Sequence, residues 1–132
     1  MKRLALAAAL TAAVPALAAC QQGVQAPEDP GVCWHYVQEE GGEPRFNKVA
    51  ENQRSIEFCA ARLEEMRVRF LRFGGGRDEI VGAYQGRWLF VDRAGISTAE
   101  RLEGGRYTLL VRTGDGRLAA PGSMPLRPED MR

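Results

Sequence analysis

The hydrophobic period of this chain changes at Gly74-Gly75-Gly76, and that change limits the folds open to it. Before the glycines, Ile56, Cys59, Ala60, Leu63, Met66, Phe70 and Phe73 recur at helical spacing, which predicts one amphipathic helix over residues 55–73. Glu57, Arg62, Glu64, Glu65 and Arg69 fall largely outside that stripe, and Glu64-Glu65 reads as part of a solvated charged face. Ser55 suits the N-cap and Arg72 the last turn, while Gly74 suits the left-handed residue that ends a helix.

After the glycines the period is two. Residues 80–84 and 87–91 flank Gln85-Gly86, the spacing of a two-residue hairpin, although Gln is not the preferred first turn residue. Trp88-Leu89-Phe90-Val91 is apolar on both faces, which predicts a central strand covered by the helix. Residues 106–112 read as another strand, and Thr113-Gly114-Asp115-Gly116 as a turn into a short edge pairing. Residues 96–102 fit either an edge strand or one helical turn. Upstream of the helix, the β-branched and aromatic residues of Val32-Cys33-Trp34-His35-Tyr36-Val37 favour a strand. A weaker strand is expected at 45–49, with Phe46 inward. The predicted fold class is α+β, a single small domain with one amphipathic helix packed on an antiparallel sheet.

Outside that domain the composition changes. Residues 20–30 are polar, contain Pro27 and Pro30 and lack an apolar period, so they read as a flexible tether. Residues 119–132 carry Pro121, Pro125 and Pro128 and read as an unpaired tail. The globular domain is then expected at residues 31–118. Residues 1–19 have the three parts of an export signal: Lys2 and Arg3, an apolar stretch, and small residues before Cys20. The apolar run is shorter than a bilayer span of about 20 residues and is broken by Pro15.

Leu17-Ala18-Ala19-Cys20 resembles the lipobox of bacterial membrane lipoproteins. That resemblance covers only the signal and Cys20. It implies cleavage before Cys20, covalent diacylglycerol and an N-acyl lipid on that residue, and anchoring at the periplasmic face of a membrane. Gln21, which is not Asp, implies the outer membrane. Ala16 and Ala18 also form an A-x-A site, so cleavage after Ala18 to give a soluble periplasmic protein is the alternative.

Three cysteines in an exported chain leave one unpaired unless something consumes it. With lipid on Cys20, Cys33 and Cys59 form an even pair, and a disulfide is the default in an oxidising compartment. Closing that loop would stabilise the domain by about 3 kcal/mol on the chain-entropy estimate. Two buried thiols are the other reading. A metal site is disfavoured by a single His and the absence of C-x-x-C spacing, and no cofactor beyond the lipid is expected.

The chain carries 18 basic and 17 acidic residues, and loss of Lys2 and Arg3 with the signal leaves the acids one ahead. Interspersed charge of this kind makes no case for nucleic acid. His35 is the only side chain that titrates near neutrality, and its place between Trp34 and Tyr36 faces it opposite to both, toward solvent if they point inward. Ser55, Ser97 and Ser123 lack a nucleophile-elbow context. Gly74-Gly75-Gly76 follows a helix, whereas phosphate-cradling glycines precede one. These features predict a protein that is not an enzyme, with a small envelope enzyme using His35 as the alternative.

Trp34, Tyr36, Tyr84, Trp88 and Tyr107 come from four predicted strands and could line one side of the sheet. They read first as core. Exposed together, they would form a contact surface for an envelope protein or a glycan. The function expected from the sequence is a lipid-anchored envelope protein with a binding or structural role.

Overall fold

The computed structural model describes residues 23–75 and 78–122. The predicted signal at 1–19, Cys20, Gly76, Ser123 and the rest of the expected tail lie outside the described residues. Seven strands and one helix follow in the order β1 (Cys33–Val37), β2 (Arg45–Ala50), α1 (Ile56–Arg72), β3 (Ile80–Tyr84), β4 (Arg87–Val91), β5 (Ile96–Ala99), β6 (Tyr107–Arg112) and β7 (Leu118–Ala119). The strands form one sheet in the order β2-β1-β3-β4-β5-β6-β7, antiparallel throughout. The protein is α+β, one helix packed on an antiparallel sheet.

Period-two alternation divides the sheet residues between two cores. On the α1 side, Cys33, Ile80, Tyr84, Leu89, Val91, Ile96 and Leu110 pack with Cys59, Ala60 and Leu63 of the helix. On the other side, Tyr36, Ala83, Trp88, Phe90 and Ala99 form a second cluster with Trp34, Phe46 and Val81 at its margin. β4 is central, and Trp88, Leu89, Phe90 and Val91 are all buried, as a strand covered on both faces requires.

One helix covers only one face, so the second needs another cover. It comes from a segment the sequence reads as tether. Val24 and Ala26 pack into the second cluster beside Leu102, and Ala26 is buried. The Gly86 amide donates to the Pro27 carbonyl at 2.8 Å, the Gly31 amide to Gln85 Oε1 at 2.8 Å, and the Gln53 amide to the Gly31 carbonyl at 2.9 Å. A free tether over 20–30 is therefore corrected from Gly23 onward. Burial of Ala26 and partial burial of Val24, together with these hydrogen bonds, dock the segment on an aromatic face. The C-terminal boundary also moves slightly, because Ala119 pairs with Val111 in β7.

The β3–β4 turn explains the unusual Gln. Gln85 and Gly86 both have positive φ, 43° and 79°, as a type I′ hairpin demands. Gln85 holds the less favourable conformation while its side chain ties down Gly31. At the helix start Ser55 is the N-cap with extended backbone, yet its side chain makes no capping bond. At the helix end Gly74 has φ 75°, and the Gly75 amide reaches back to the Phe70 carbonyl at 2.8 Å. Residues 96–102, open between strand and helical turn, begin with β5, whose Phe90↔Ser97 and Val91↔Ile96 pairings extend the sheet.

Cys33 and Cys59 are joined in a disulfide with Cα atoms 5.2 Å apart, fastening β1 to α1.

Candidate contact surface

His35 alternates with Trp34 and Tyr36, so it lies on the α1 side, opposite Gly82 of β3. It does not point into open solvent as the sequence suggests. Its ring centroid is 6.4 Å from that of Phe70, and the side chain is half-buried beside the helix. Ser55 is the helix N-cap, and Ser97 pairs with Phe90 within the sheet.

The five aromatics do not form one surface. Trp34, Tyr36 and Trp88 belong to the cluster away from the helix, whereas Tyr84 lies on the helix side and donates from its hydroxyl to the Gln53 carbonyl at 2.7 Å. Tyr36, Tyr84 and Trp88 are buried and cannot present a contact face. Tyr36 meets Trp88 edge-on at 5.1 Å between centroids and Phe46 at 5.3 Å. Burial pushes the Tyr36 hydroxyl pKa up, and that hydroxyl donates to Gln38 Oε1. Trp34 is half-buried, with Lys48 Nζ 5.9 Å from its ring centroid. Tyr107 alone of the five is exposed.

A different apolar surface stands open, and the helix carries it. Seventeen residues at 1.5 Å rise make α1 about 25 Å long. Its buried residues are Cys59, Ala60 and Leu63. Farther along, Phe70 is 38 % exposed, Leu71 44 % and Phe73 84 %, with Val68 also exposed. The inward assignment of Phe73 is thus corrected, and Phe70, beside His35, is only partly covered. Val68 and Phe73 line a shallow depression of about 580 Å³, together with Arg69, Arg72, Glu64, Glu65 and Gly116.

Glu64 is not part of a solvated face. Arg112 of β6 grips it with two bonds of 2.7 Å, from Nε to Oε1 and from Nη2 to Oε2, and donates a third to the Arg93 carbonyl. Arg67 approaches the same carboxylate at 3.7 Å. The Glu64 hydrogen bonds raise the Arg112 pKa further, against partial burial. Glu65, by contrast, remains exposed and pairs only with Arg62 at 3.3 Å. Bidentate geometry on a half-sheltered carboxylate fixes the helix over β6, so the apolar end is held in place.

Sequence reasoning missed Val68 and Leu71 as surface residues. Their position outside the apolar stripe of the helix was the available signal. The Gly74-Gly75 stop behaves as expected of a helix terminus, and among the described residues no group of three His, Cys, Asp or Glu could hold a metal ion. No known protein family matches the chain, and no curated protein or solved structure matches it either.

Proposed function

We propose that this chain is a lipid-anchored protein of the cell envelope, held at the periplasmic face of the outer membrane through Cys20, and that it acts by contact and not by catalysis. The disulfide carries this reading. Pairing of Cys33 with Cys59 leaves Cys20 as the single remaining cysteine, in the sequence context Leu17-Ala18-Ala19-Cys20 that resembles a lipobox. One acyl chain binds a bilayer only marginally, and a multiply acylated cysteine would anchor stably.

Contact is assigned to the exposed end of α1. Val68, Leu71 and Phe73 offer apolar area with Arg69, Arg72 and Glu65 beside it, a composition suited to an envelope protein that presents apolar side chains within a rim of mixed charge. Exposed aromatic and arginine side chains are also the residue types that dominate interface energetics.

Intact mass analysis of the membrane fraction, wild type beside Cys20→Ala, tests the anchor. The wild-type chain is expected to begin at Cys20 with lipid mass, and Cys20→Ala to appear in the soluble fraction. A wild-type chain that begins at Ala19 without lipid would establish the soluble periplasmic alternative. Crosslinking from Phe73 then tests the contact, with a discrete envelope protein as the expected product.

A further inference from the structure

The docking of residues 23–31 determines which side of the domain a lipid at Cys20 would bring to the bilayer. Three peptide steps separate Cys20 from Gly23, a reach of at most about 11 Å when fully extended. At Gly23 the chain is already at the folded body. Gly23, Val24 and Gln25 share a depression of about 540 Å³ with Gln38, Arg101, Leu102 and Glu103. Val24 and Leu102 both belong to the cluster on the side of the sheet away from α1.

That placement is fastened at several points. Ala26 is buried against the same cluster, and Pro27 and Gly31 are hydrogen-bonded to the β3–β4 turn and to Gln53. The leash cannot lengthen by peeling without giving up the Val24 and Ala26 contacts and then these bonds. α1 packs on the opposite side, where Cys33 and Leu89 meet Cys59 and Leu63. A packed layer adds about 10 Å, so the outer surface of the helix lies well beyond the leash's reach.

We propose that the lipid surface lies against the side of the domain formed by Gln38, Arg101, Leu102 and Glu103. α1 and its exposed apolar end are displayed away from the bilayer. This inference rests on the anchor reading and adds to it an orientation. A long free tether would allow the domain to tumble and present every face to the membrane in turn. A leash of three residues selects one face, and it leaves Val68, Leu71 and Phe73 accessible to a partner in the periplasmic space.

The test uses the chain beginning at Cys20, coupled through the Cys20 thiol to a maleimide phospholipid in phosphatidylcholine nanodiscs that contain a gadolinium-chelate lipid. Cys33 and Cys59 are oxidised and do not compete for the coupling. Paramagnetic broadening is expected to remove the amide signals of Gln38 and Leu102 and to spare those of Arg62, Val68 and Leu71. Equal loss on both sides of the sheet, or loss concentrated in α1, would overturn the orientation. An insertion of roughly ten Gly/Ser residues after Gln22, with a reach of about 17 Å, is expected to erase the asymmetry. Persistence of the asymmetry with that insertion would show that the leash is not its cause, and would also overturn the proposal. Because the lipid is attached chemically, these outcomes are independent of the native mass measurement, which alone decides whether the cell lipidates Cys20.

Discussion

Leu63 of α1 lies directly on Gly82 of β3. A Cβ at residue 82 would collide with Leu63 Cδ1 and would stand 2.6 Å from the Trp34 carbonyl oxygen. Gly82 is therefore a point of close approach between helix and sheet. Gly82→Ala is expected to destabilise the domain by about 1–3 kcal/mol, the range for overpacking a well-filled core. Urea denaturation measures it. Leu63→Ala alone is expected to cost about 2–5 kcal/mol. The double variant should fall short of additivity by only part of the Gly82→Ala cost, since the Trp34 carbonyl belongs to the backbone and stays in place. A coupling equal to the whole Gly82→Ala cost would mean that the carbonyl moves aside.

Reduction of the disulfide should cost about 3 kcal/mol on the loop-entropy estimate. The bond joins the first strand to the helix across 26 residues. A Cys33→Ala, Cys59→Ala protein is expected to melt below the oxidised wild type and to lose its sensitivity to dithiothreitol. Unchanged melting on reduction would assign the pair no part in stability.

Glu64 and Glu65 are adjacent in sequence and should respond differently to removal. Glu64→Ala leaves Arg112 and Arg67 without their shared carboxylate, at side-chain exposures of 23 % and 12 %. A loss of about 2 kcal/mol is expected, as for hydrogen bonds to charged groups. Glu65→Ala removes an exposed pair and should change stability by less than about 1 kcal/mol. Equal effects would indicate that Arg112 finds another acceptor.

The β6–β7 turn should loosen in acid. Hydrogen bonds from Arg117 and then Thr113 hold the Asp115 carboxyl well below the ordinary carboxylate range. A carboxyl whose pKa is lower folded than unfolded contributes stability above its unfolded value, near 4, and that contribution declines as pH falls from there toward the folded value. Amide exchange at Arg117 and Leu118 is therefore expected to accelerate relative to β4 as the pH is lowered below about 4. Asp115→Asn should show the loosened turn already at neutral pH. A turn whose exchange relative to β4 is independent of pH would contradict this account.

Phe73→Ser and Leu71→Ser should be close to neutral for stability, within about 0.5 kcal/mol, as exposed substitutions usually are. Both are expected to reduce crosslinking to an envelope partner. A variant that keeps full crosslinking would remove the helix end as the contact site.

The sequence carries the fold class in its two periods. Ile56, Cys59, Ala60 and Leu63 mark the helix face, and the apolar run at 88–91 marks the central strand, because local periodicity reports directly on burial. It does not carry the extent of the surface beneath an element. Phe70 and Phe73 continue the apolar stripe but are left exposed, and nothing local distinguishes them from Leu63. Glu64 looks like its neighbour Glu65 because its partner, Arg112, is 48 residues away. Val24 and Ala26 lie among prolines and polar residues, and their burial depends on an aromatic face assembled from β1, β2 and β4. The candidate contact surface was hidden for the same reason: aromatic side chains draw attention in a sequence, yet here most of them are needed to fill the second core.

The bond from the Gly31 amide to Gln85 spans 54 residues, and the neighbouring Gly86 amide holds Pro27. A chain that emerges from its amino end therefore presents residues 23–31 early but supplies their partners late, the last of them near Leu102. Docking of this segment must wait for the β3–β4 hairpin and the strand after it. Until that segment docks, Trp88 and Phe90 lack the cover that Val24 and Ala26 give their face in the folded chain.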